Sequence, residues 1–180
     1  MKIAAPLLAA ILLAGTVLSA PARAEGSAAT ADDTATQLFS DYQAWQQENG
    51  WRPGALPSVT PEAQEERAEA LRDYLSRLDA IDQDSLSSAQ RVNTAVFRSV
   101  VTERLGDAEF REWEMPLNSD SNFWSYLNPT SGLRSAEQYR NYITRMQDIP
   151  RYFDEHIANA RAGLERGFSV PQVTLEGRDV

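Results

Sequence analysis

The stretch from Ser135 to Pro171 limits the fold most, because it writes two helices back to back with their ends marked. Ser135 and Gln138 have the S-x-x-Q spacing of a capping box, in which each side chain satisfies a free backbone N–H at a helix start. Tyr139, Tyr142, Ile143, Met146 and Ile149 then recur at steps of three and four, one stripe of a helix. Pro150 cannot continue that helix, since it lacks an N–H and clashes with the preceding turn, but it suits the first position of the next. Phe153, Ile157, Ala160 and Leu164 form the second stripe, and Gly167 is a natural stop. The fold class this predicts is all-α, about five helices in antiparallel hairpins.

The earlier chain supplies three more helices. One is expected from Thr34 to Gln47, with Leu38, Tyr42 and Trp45 on one face and Asn49-Gly50 at its end. Trp51 to Val59 holds two prolines and a glycine and reads as a loop, with Trp51 plugging the edge of a core rather than binding a ligand. Thr60-Pro61 opens a second helix whose buried stripe is Ala63, Ala70, Leu71, Tyr74, Leu75, Leu78 and Ile81. Glu62, Glu65 and Glu66 resemble a metal cluster only superficially, because Arg67 and Arg72 are interleaved as on a solvated face. Ser87 and Gln90 predict another capping box, and a third helix should run from Ser88 to Leu105 and stop at Gly106. Its core line is Val92, Val96, Ser99, Val100 and Glu103, with Ala95, Val101 and Leu105 beside it. Helices two and three should pack as an antiparallel hairpin.

Between the third and fourth helices lies one long aromatic-rich connection, Ala108 to Gly132. It carries Phe110, Trp113, Phe123, Trp124 and Tyr126 around a polar run, Asn118 to Asn122. Such a connection can touch a ligand, though aromatic clusters more often serve packing.

Met1 to Ala24 reads as a signal peptide: Lys2, an apolar run from Ile3 to Leu18, and Ala22-Arg23-Ala24 as the cleavage site. Residues 25–33 are expected to be a disordered lead-in, and 34–180 the helical region. The mature protein is then expected to be periplasmic or secreted and free of the membrane. Cleavage removes two of 17 basic residues and none of the 26 acidic ones, leaving a net charge of −11 and arginine as the only strongly basic side chain. A surface so negative argues against nucleic acid as a partner. With no cysteine, disulfides, thiolate metal sites and cysteine nucleophiles are excluded.

No catalytic or metal-binding residue is assigned. His156 is the one histidine, so no H-E-x-x-H can form. Its neighbours Asp154 and Glu155 point about 100° apart on a helix and do not converge on one atom. His156 is read as a surface or hydrogen-bonded structural residue. No phosphate loop, dinucleotide fingerprint or nucleophile elbow is present.

Several short pieces carry a resemblance when taken in order. They are Leu78-Asp79-Ala80-Ile81-Asp82, Leu86 to Gln90, Val96-Phe97, and Phe110-Arg111-x-x-Glu114-Met115-Pro116-Leu117-Asn118. Tyr139-x-x-Tyr142-Ile143-x-Arg145-Met146-x-x-Ile149-Pro150 and Arg161-x-Gly163-x-x-x-Gly167-x-x-x-Pro171 complete the set. This order resembles the N-terminal part of the bacterial family called domain of unknown function 885. The resemblance implies a longer, largely helical protein similar to zinc-dependent peptidases of the gluzincin kind. It places the metal motif downstream of Val180, so no cofactor is expected within this chain, and zinc only in a full-length protein. The expected partners are the C-terminal part of the same domain and, in the full-length protein, a peptide substrate. The chain is thus expected to be an N-terminal portion, inactive alone, forming one wall of a substrate cleft, with Asn118, Ser121 and Phe123 as candidate cleft residues. The alternative is a small periplasmic helical binding or interaction module using Phe110 to Tyr126.

Overall fold

The computed structural model describes residues 23–50, 52–117, 122–124, 127 and 132–177, with side chains from residue 30 onward. Among these residues there are five α-helices: α1 (Arg23–Asn49), α2 (Pro61–Asp79), α3 (Ser88–Glu109), α4 (Ala136–Gln147) and α5 (Ile149–Glu165). Short 3-10 turns sit at Gln83–Ser85, Glu112–Glu114 and Gln172–Thr174. No strand is formed among the described residues, only isolated bridges joining Arg52 to Ala55 and Leu117 to Asn122. The all-α fold class is therefore observed. Residues 1–22, Trp51, Asn118 and Ser121 lie outside the described residues.

Helices α1, α2 and α3 share one core. Tyr42 organises it, meeting Tyr74 and Phe97 edge-on, each at 5.1 Å between centroids, and stacking on Trp45 at 5.7 Å. Such pairs contribute about 0.5–1.5 kcal/mol each beyond the area they bury. Leu38, Leu71, Leu78, Ile81, Leu86 and Val101 fill the space around them. Both core tyrosine hydroxyls are satisfied: Tyr42 Oη accepts from Arg104 at 2.9 Å, and Tyr74 donates to the Asp41 carbonyl at 3.1 Å. The contacts give the directions. Asp41 pairs with Arg77 while Trp45, farther along α1, meets Tyr74, and Arg98 pairs with Asp79 while Arg104, farther along α3, shares a cleft with Leu71 and Arg67, so α2 runs antiparallel to both neighbours. The acidic start of α2 faces solvent as expected, and Arg72 pairs with Glu65 at 2.8 Å.

Two expectations are corrected, and a third segment is taken into a helix. α1 begins at Arg23 and so includes 25–33. Asp32 shows why order extends there: its carboxylate accepts the Ser87 N–H at 2.9 Å at the start of α3. The second capping box is accordingly only half formed. Ser87 still accepts from the Gln90 N–H, but the Gln90 amide reaches Thr36 at 2.8 Å on α1. Finally, α3 runs through Gly106 to Glu109, since one glycine costs a helix only about 1 kcal/mol.

The core face of α3 also differs from the expected line. Thr94, Phe97 and Val101 are buried, whereas Val92 is 62% and Val96 58% exposed. One phenylalanine packed against Phe39 and Tyr42 buries more surface than the valines would, and the Gln90 and Arg98 contacts fix the same rotation. Phe97→Ala should therefore destabilise the chain by about 3–5 kcal/mol. Val96→Ala, on the face the pattern favoured, should stay within about 0.5 kcal/mol. Urea denaturation of the two variants checks the assignment.

Candidate functional site

Helix α5 holds the most unusual chemistry in the chain. Its buried face is Tyr152, His156, Asn159 and Gly163, at i, i+4, i+7 and i+11. The expected stripe of Phe153, Ile157, Ala160 and Leu164 is turned one residue away, with Leu164 66% exposed. The reason lies in what α5 packs against. Its neighbours are irregular backbone, whose N–H and C=O groups need partners.

The first neighbour is the loop before α2. The Glu155 carboxylate accepts the Val59 N–H at 2.8 Å, and Asn159 donates to the Val59 carbonyl at 2.6 Å. Arg151 donates to the Leu56 carbonyl at 3.0 Å, while Asp148 accepts the Leu56 N–H at 3.3 Å. Arg151 also bridges the two acids, at 2.6 Å from each. Asp148 is consequently held below its ordinary carboxylate value by Arg151. Burial pushes Glu155 up, but the Val59 N–H and Arg151 outweigh it, and the net shift is downward. Asp148 stands at the start of α5 without capping it, because its carboxylate is committed to Arg151 and the loop.

The second neighbour is the turn after α3. Arg111 adopts a left-handed backbone, φ 54°, and turns the chain into Glu112–Glu114. Glu114 is 5% exposed and lies between Arg111, at 3.4 Å, and Arg166. Arg166 also donates to the Phe110 carbonyl at 2.9 Å and covers the Phe168 ring at 4.3 Å. Gly163 makes this approach possible. A Cβ there would stand 2.4 Å from the Glu114 carbonyl oxygen and 2.8 Å from that of Phe168.

Between these contacts lies His156, 7% exposed. It is buried rather than at the surface, which corrects the expectation, and neither ring nitrogen has a hydrogen-bond partner among the described residues. Its ring stacks on Phe123 with centroids 4.0 Å apart and meets Tyr152 edge-on at 4.5 Å. Burial pushes its pKa down from 6.5 to about 4, against a smaller upward pull from Glu155. The ring is therefore neutral at pH 7 and acts as a flat apolar spacer.

Of the three candidate cleft residues, only Phe123 is described. It packs on α5 through His156 and Phe153, at 4.8 Å from the latter, and meets Trp124 at 4.9 Å. The sequence sets Tyr152 and Asn159 at helical spacing with His156, and Glu114 within a motif, but no spacing in it shows that these residues meet irregular backbone. Among the described residues, no group of three or more His, Asp or Glu side chains is placed to hold a metal ion.

Two of the pieces in the resemblance, Phe110-Arg111-x-x-Glu114 and Gly163-x-x-x-Gly167, meet in this structure at the Glu114–Gly163 contact. Residues 44–178 match the family described as "Bacterial protein of unknown function (DUF885)". The chain belongs to the DUF885 family. No curated protein and no solved structure matches it. The family match takes in α2 to α5 and the end of α1, including every residue of the α5 site.

Two measurements check this DUF885 site. Below pH 6.5 the unfolded chain takes up a proton that native His156 refuses. Stability should fall by about 3 kcal/mol as the pH drops from about 7 to about 4. His156→Leu should flatten that window, since Asp148 and Glu155, held low, lose their contribution only as the pH falls through about 4 and below. Gly163→Ala should cost about 3 kcal/mol by overpacking. Gly106→Ala, with nothing within 4 Å of the added Cβ, should instead stabilise α3 by about 1 kcal/mol. Thermal melts at matched pH compare the variants.

Proposed function

We propose that this chain is the N-terminal helical portion of an exported, peptidase-like hydrolase, and that it forms one wall of the substrate cleft. The observation that carries the reading is the pair of uncovered apolar stripes on consecutive helices. On α4, Tyr139, Ile143 and Met146 are each about half exposed, and α4 has no buried residue. On α5, Ile157 and Leu164 continue the exposed apolar surface. Apolar faces this extensive on neighbouring helices are characteristic of surfaces that another body covers. The remainder of the same domain is the proposed cover, and zinc with its glutamate base would belong there, lowering the pKa of a bound water. The N-terminal pattern of Lys2, the apolar run and Ala22-Arg23-Ala24 supports export. Among the described residues, no helix is long and apolar enough to cross a membrane.

A small helical binding module is the second reading. The shared core of α1, α2 and α3, with its aromatic centre, favours it. Light scattering on the mature chain alone separates the two. The hydrolase-portion reading predicts self-association that Ile143→Glu with Leu164→Glu abolishes. A monomer with a sharp two-state melt and no response to those charges would contradict it. Peptide cleavage and bound zinc in the complete gene product, both missing from this chain alone, are the outcomes expected for the activity itself.

A further inference from the structure

A cleft of about 400 Å³ opens beside the aromatic core. Its walls come from α1, α2, the end of α3 and the turn that follows. Trp45 and Trp113 stand among its lining with Leu71, and four charged side chains share the cleft: Arg67, Arg104, Asp107 and Glu112. The two basic groups are short of anionic partners. Arg67 is half buried, yet its one hydrogen bond to a described residue goes to the Ser58 carbonyl, at 2.6 Å, and it enters no ion pair among them. Burial pushes this guanidinium down, and Glu66 and Glu155 act on it without reaching ion-pair distance. A half-buried cation without an anion is a costly arrangement. Arg104 donates to the Tyr42 hydroxyl, a neutral acceptor. The Trp113 indole N–H is buried and has no acceptor among the described residues. The two acids stand side by side: burial, then the Asp107 charge and a hydrogen bond with its side chain, push Glu112 up.

One ligand chemistry answers all of these groups. A carboxylate satisfies the guanidinium in the bidentate geometry that arginine is built for. An apolar side chain fits between indole rings and Leu71. An ammonium relieves the repulsion between Asp107 and Glu112. A phosphate or a simple organic acid would meet the arginines but would also meet two carboxylates. We infer that the Trp45–Trp113 cleft binds a free amino acid with a large apolar side chain as its zwitterion, carboxylate toward Arg67 and Arg104 and ammonium toward Asp107 and Glu112. This site does not depend on any hydrolase activity of the complete protein.

Calorimetric titration of the mature chain with three probes tests the inference: phenylalanine, phenylacetate (no ammonium) and phenethylamine (no carboxylate). Phenylalanine should bind saturably, and each truncated probe at least tenfold more weakly. Arg67→Met should weaken phenylalanine at least tenfold. Because Arg67 also holds Ser58, a second variant guards against a folding defect: Asp107→Asn, at an exposed position, should narrow the gap between phenylalanine and phenylacetate. No saturable binding of phenylalanine at about 10 mM, equal binding of phenethylamine, or an unchanged preference in Asp107→Asn would each overturn it.

Discussion

The grip of α5 on a single residue, Val59, joins the two parts of this chain. Glu155 takes the Val59 N–H and Asn159 takes its carbonyl, so both backbone groups of one residue are satisfied by side chains one helical turn apart. A buried peptide group left unpaired costs about 1–3 kcal/mol, so releasing either contact is expensive. Arg151 and Asp148 repeat the arrangement at Leu56. The loop they hold connects α1 to α2, which places α5 against the three-helix core through backbone rather than through interlocking apolar side chains. The same logic recurs at Gly163, where the neighbour is the Glu114 carbonyl and only a hydrogen atom fits.

Helix content was legible in the sequence because caps and breakers act locally. Thr60-Pro61 and Ser135 with Gln138 form the starts they announce, and the Ser135 capping box is complete. Helix rotation was less legible. A periodic apolar stripe says which residues share a face but not whether that face meets the core, and α3 and α5 both turn a different face inward. For α3, Phe97 and the reach of Gln90 to Thr36 outweigh a row of valines. For α5, the partner is irregular backbone, which rewards hydrogen-bonding and small residues and so inverts the usual pattern. The half-formed capping box at Ser87 has a similar origin: a local motif gave up one of its bonds to a helix distant in sequence. Of the candidate site, Phe123 was named for ligand contact, and its ring stacks on His156, a pairing that no spacing in the sequence records.

Membership of the DUF885 family fits this division of labour within the chain. Motif residues that look chemical in the sequence, Arg111 and Glu114, are occupied together with Arg166 in building the junction between the turn after α3 and the end of α5. The polar residues of α5 likewise serve the fold. What remains turned outward is apolar surface on α4 and α5, and a cleft beside the aromatic core whose Arg67 and Arg104 enter no ion pair among the described residues.

The account stands on the rotation of α5. Because the chain has no cysteine, a single introduced thiol reports its own exposure without interference. The rates at which His156→Cys and Ile157→Cys react with a soluble thiol reagent under native conditions measure that rotation directly. The structure predicts fast labelling at position 157 and strong protection at 156, released only by denaturant. Protection at 157 with ready labelling at 156 would mean that the apolar stripe faces the core, contradicting both the backbone-gripping role of α5 and the uncovered surface on which the functional proposal rests.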